Sequence, residues 1–102
     1  MEQKTVKIGA GEMTARIFGP FDSNIRAIEH AFSVDIQNRT EAGEDGVQIS
    51  GQDREAVEHA AKSVLCLRDM AAYQDVLSDQ SVRYVIDMVK AGREEDLSDL
   101  GD

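Results

Sequence analysis

The chain has 102 residues, enough for one domain with a single core. It carries a net charge of −9 at pH 7, 5 % aromatic residues and no Trp. That balance argues against strong non-specific binding to nucleic acid, which depends on neutralising phosphates, but leaves room for a small local site. The charge is uneven, because residues 92–102 hold one Arg and five acids.

Residues 1–11 read as an N-terminal extension. Thr5 to Ile8 could form a short strand, and Gly9-Ala10-Gly11 a turn. Residues 12–18 read as the first firm strand. Met13, Ala15 and Ile17 alternate with Thr14, Arg16 and Phe18, the period of a half-buried strand. The joint Gly19-Pro20 follows, with the chain's one Pro. Gly tolerates unusual backbone angles and Pro fixes φ near a turn value. Asp22, Ser23 and Asn24 are all residues able to cap a helix. Two readings of this joint stand: a tight strand-to-helix turn, or an anion site at a helix N-terminus.

A helix is expected from Ser23 to Phe32, with Ile25, Ile28 and Phe32 as its apolar stripe. Arg26 and Glu29 are spaced to pair on its exposed side. Strands follow at Val34–Arg39 and Val47–Ser50, joined by a Gly-containing loop as an antiparallel hairpin. A helix over residues 53–72 has a broad face of Val57, Ala60, Ala61, Val64, Leu65 and Leu67. Ser78 is the expected cap of a last helix over residues 79–91, with Val82, Val85, Ile86 and Val89 as its stripe and Gly92 at its end. Residues 93–102 read as an acidic linker or disordered tail. The order β-α-β-β-α-α, with one amphipathic sheet to cover, implies a two-layer α+β sandwich over residues 12–92.

The chemistry of an enzyme is hard to assemble from these residues. His30 and His59 fall on separate helices without a second ligand at metal spacing. Cys66 lies among Val64, Leu65 and Leu67, which suits a buried structural thiol. No G-x-x-x-x-G-K-[ST] run is present, so there is no nucleotide P-loop. No apolar run is long enough to span a bilayer and no signal-peptide h-region stands at the N-terminus, so a cytoplasmic location is the expectation.

Gly19-Pro20, Asn24-Ile25 and Ile28-Glu29, then Val34 and Ile36, Gly46-Val47, Ile49-Ser50-Gly51 and Val82-Arg83-Tyr84-Val85-Ile86, together resemble the N-terminal domain of PhoH-like proteins. The resemblance spans about residues 13–92. It implies a bacterial, phosphate-starvation-linked protein in which a small KH-like domain precedes a P-loop ATPase domain, so the natural chain is expected to continue past Asp102. ATP and magnesium would belong to that second domain, and no cofactor, metal or catalytic residue is expected here. KH domains hold single-stranded nucleic acid against a G-x-x-G loop. The corresponding run is Gly19-Pro20-Phe21-Asp22, in which Asp22 replaces the second Gly and Pro20 lacks an N–H. The resemblance makes Gly19, Pro20, Phe21, Ser23, Asn24 and Arg26 the candidate contacts to single-stranded RNA, with Arg16 and Arg39 adding charge if they converge beside the loop. The alternative role is a protein-interaction or oligomerisation module that positions the ATPase domain.

Overall fold

The computed structural model describes residues 1–9, 11–41, 44–74 and 77–92. Strand β1 (Glu2–Gly9) leads into helix α1 (Gly11–Phe18), and a 3-10 turn (Pro20–Asp22) joins it to α2 (Ser23–Phe32). Strands β2 (Asp35–Glu41) and β3 (Glu44–Gly51) form a hairpin, followed by α3 (Arg54–Ala71) and α4 (Asp79–Lys90). The sheet order is β1-β3-β2, with β3 antiparallel to both neighbours. The fold is a two-layer α+β sandwich, the class expected from the sequence.

Two expectations near the N-terminus are corrected. Residues 12–18 are not a strand but α1, and the possible short strand at Thr5–Ile8 is not part of an extension but of a longer edge strand, Glu2–Gly9. The observed order is therefore β-α-α-β-β-α-α. The reason for the misreading is physical. Met13 and Ile17 fall on one face of a strand's alternation, but they are also i and i+4, one face of a helix. Ile17 is fully buried and Met13 packs on the core, while Ala15 is exposed. Glu12 and Arg16 form an i,i+4 ion pair at 3.2 Å that suits only a helix. The vacant place beside β3 goes to β1, whose Val6 and Ile8 join the core with 5 % and 1 % exposure.

One core lies between the sheet and the helices. Ile25, Ile28, Val34, Ile36, Val47, Ile49, Val57, Val64 and Val85, the residues that the apolar periodicity points to, are all buried. Ala60, Ala61 and Ala71 are buried along α3, where small side chains let the helix backbone approach its neighbours. All four apolar residues of the α4 stripe are buried, and Leu77 joins them from the preceding segment. Lys90 of α4 lies over the Phe32 ring at 5.8 Å, and the ring tilts against His59 of α3 at 5.9 Å, so three helices meet there. Cys66 is half-buried rather than sealed in the core. No helix among the described residues is long and apolar enough to cross a membrane. The expected acidic tail, residues 93–102, lies outside the described residues.

Candidate nucleic-acid interface

The Gly19-Pro20 joint is a helix-to-helix turn. The Gly19 N–H donates to the Ala15 carbonyl at 3.0 Å and closes α1. Gly19 itself has φ 76, a left-handed value that suits Gly. A Cβ at this position would stand 2.7 Å from Nδ2 of Asn24, so the turn also needs Gly for space. The two residues after Pro20 are stranger. Phe21 (φ 55) and Asp22 (φ 59) are both left-handed and neither is Gly. For L-residues that region costs about 1–2 kcal/mol each.

This geometry alters the expected capping. Asp22 occupies the N-cap position of α2, but its left-handed backbone leaves its side chain with no capping hydrogen bond. Ser23 and Asn24 are helical residues and do not cap from outside. Asn24 is instead buried, at 2 % exposure, beneath Gly19. Its Nδ2 and the Oγ of Ser23 are buried without a hydrogen-bond partner among the described residues. Strain and unpaired buried polar atoms thus gather in one short segment.

The turn's own N–H groups are largely engaged. Besides Gly19, Asp22 donates its N–H to the Gly19 carbonyl at 3.2 Å, and Ser23 donates to Pro20. Pro20 has no N–H to offer. Phe21 projects outward with 93 % of its surface exposed. Pro20 and Asp22 are exposed beside it.

The three arginines do not converge. Arg26 is exposed in the first turn of α2. Glu29, its expected partner, instead accepts the backbone N–H of Ile36 at 2.9 Å, tying α2 to β2. Arg16 donates to the Ala71 carbonyl at 3.1 Å and to Glu12, so it anchors α1 to the end of α3. Arg39 pairs with Gly46 in register beside the Gln37–Gln48 pair. Directly opposed residues share a face, and Ile36–Ile49 faces the core, so Arg39 lies on the outer face of the sheet, away from the helices. Asp45 marks the other end of α1. It accepts hydrogen bonds from Thr14 at 2.7 Å and Thr40 at 2.9 Å, and these hold its carboxyl below the usual carboxylate range.

Two adjacent helices joined by an exposed Gly-led four-residue turn, packed on a β1-β3-β2 sheet, now meet a sequence finding. The KH domain family matches residues 5–66, from β1 into α3. The chain belongs to the KH domain family. The Gly19–Asp22 turn falls inside the match, and α4 lies beyond it. The match carries no link of this KH domain to PhoH-like ATPases. Comparison with curated proteins and with solved structures returned no match. Sequence reasoning found the turn but not the burial of Asn24, nor the exposure of Phe21. The Gly-x-x-x-x-Asn spacing of Gly19 and Asn24 is the only signal for the former, and it acquires meaning only once the turn geometry brings the two together. No group of His, Cys, Asp or Glu among the described residues is arranged to hold a metal ion.

Proposed function

We propose that this KH domain binds single-stranded nucleic acid, RNA in the first instance, through residues 19–26, as the accessory domain of a cytoplasmic PhoH-like ATPase. The observation that carries the binding part is the position of the turn. It stands exposed between α1 and α2 of a KH domain, where KH domains clamp the strand. Arg26 follows it by one helical turn and supplies the cation for a backbone phosphate. The ATPase part rests on the residue resemblance, from Gly19-Pro20 through Val82–Ile86. On this reading the chain itself performs no catalysis, and ATP and magnesium act on the ATPase domain. Binding is weak, because the net charge of −9 and the exposed Asp22 oppose a polyanion.

The second reading, a protein-interaction or oligomerisation module, draws on α4. This helix adds to the matched KH region and presents Arg83, Tyr84 and Asp87 outward. Fluorescence anisotropy with short single-stranded RNA at low and moderate salt separates the two. Nucleic-acid binding requires that the wild type binds and loses affinity with salt, that Arg26→Ala weakens it, and that Asp22→Gly tightens it by removing the repelling carboxylate. Absence of binding by all three proteins, together with salt-tolerant self-association, would leave the interaction module standing.

A further inference from the structure

We propose that the Phe21-Asp22 tip of this turn takes an unpaired nucleobase, preferably guanine, where a G-x-x-G turn would hold a backbone phosphate. The inference rests on the nucleic-acid reading above and deepens it.

The turn is poorly suited to a phosphate. The N–H groups of Gly19, Asp22 and Ser23 each donate to a backbone carbonyl nearby, and Pro20 has none. The exposed Asp22 carboxylate carries the same sign of charge as a phosphate. What the tip offers instead is an aromatic face and a pair of carboxylate oxygens.

Among the described residues Phe21 is the most exposed of the large hydrophobic side chains, at 93 % against 88 % for Met1, 86 % for Tyr73 and 44 % for Tyr84. A single exposed hydrophobe is ordinary. This one is held in a left-handed conformation that a bulky residue rarely adopts, and the residue after it is left-handed too. The ring makes no contact with the core and stands clear of both helices' buried faces. Every base has a π-face, and stacking on an aromatic ring is how proteins hold single strands without pairing partners.

Asp22 then selects among bases. An ionised carboxylate only accepts hydrogen bonds, and its two oxygens match two parallel donors. Guanine presents such a pair on its Watson–Crick edge, N1–H and an N2–H. Adenine and cytosine present their amino group alone, and uracil its N3–H alone. The same carboxylate that repels the backbone therefore favours guanine at the tip, while Arg26 meets a neighbouring phosphate.

The test is an anisotropy titration of the whole chain with two heptamers, UUUGUUU and UUUAUUU. The wild type should bind the guanine heptamer about tenfold more tightly, as a second charge-assisted hydrogen bond implies. Asp22→Asn should bring that ratio close to one, and so should Asp22→Gly, which loses the guanine contact while it tightens the adenine heptamer by removing the repelling carboxylate. Phe21→Ala should weaken both by about tenfold, the loss of one stacked base. Circular dichroism should show each variant folded, since these side chains are exposed. Equal affinity of the wild type for the two heptamers, or full affinity in Phe21→Ala, would overturn the base-binding tip while leaving RNA binding through Arg26 in place. Binding of neither heptamer by any variant, Asp22→Gly included, would overturn the nucleic-acid reading and this inference together.

Discussion

Helices α3 and α4 begin in one way and α2 in another. Asp53 and Ser78 have extended backbones, and each side chain accepts a backbone N–H from the first turn, Glu55 for Asp53 and Ser81 for Ser78. Helix α2 is preceded by a residue of the same capping type, Asp22, yet that residue is left-handed and caps nothing. Local rules hold where only folding is at stake. They fail at the start of α2, directly after the Gly19–Asp22 turn. Strained backbone persists only where the surroundings over-determine it, and such sites gather at places of function. Here the surroundings are Gly19 and the buried Asn24 on one side and the α2 stripe on the other.

Several measurements can break or sharpen that contrast. If α2 is held by its buried stripe rather than by a cap, Ile28→Ala should cost about 2–5 kcal/mol in urea unfolding. Ile28 is 0 % exposed. A loss under about 1 kcal/mol would mean that the stripe does not anchor the helix. Gly19→Ala should be next, at about 2 kcal/mol, from its left-handed backbone and from crowding against Asn24. A neutral Gly19→Ala would show that the turn relaxes freely and is not over-determined.

The caps themselves give the direct comparison. Asp53→Ala and Ser78→Ala should each cost about 1 kcal/mol. Asp22→Gly should raise stability by up to about 1 kcal/mol, since it relieves a left-handed residue and removes no cap. Destabilisation by Asp22→Gly comparable to the other two would restore Asp22 as a cap and erase the contrast.

The smallest effect concerns Asp45, at the opposite end of α1 from the turn. Its carboxyl is held low in the folded state, mainly by Thr14 and also by Thr40. A depressed carboxylate stabilises the fold above its unfolded pKa, about 3.9, and the contribution disappears as pH falls through the lower folded value. Thr14→Val should therefore be less stable than wild type at pH 6, with the gap closing as the pH falls below about 4. A gap that persists unchanged at pH 3 would assign the effect of Thr14 to packing and not to Asp45.

Much of this was legible in the linear chain. The stripes of α2 and α4, the broad face of α3 and the alternation of β2 and β3 each repeat with a period that a short window can hold. Asp53 and Ser78 sit where a cap is wanted, and their helices start there. Residues 12–18 were not legible in the same way, because Met13, Ala15 and Ile17 satisfy a strand's alternation while Met13 and Ile17 satisfy a helix's. Nor was the fate of the arginines, since a lone Arg carries no period at all. Arg16 ends on the Ala71 carbonyl and Arg39 on the outer face of the sheet, through contacts made by residues distant in sequence.

The sequence by itself determined the class of the fold, its apolar faces, and the Gly-led turn as the place to look for a ligand. These follow from local periodicity and from the conformational limits of Gly and Pro, both properties of a few neighbouring residues. Only the tertiary structure decided that β1 completes the sheet, because strand partners are chosen by the vacant edge of β3 and not by Glu2–Gly9 alone. Only the tertiary structure decided that Asn24 lies beneath Gly19 and that Phe21 stands in solvent. Those placements depend on how α1 and α2 pack against one another, and a turn's direction is set by the two bodies it joins.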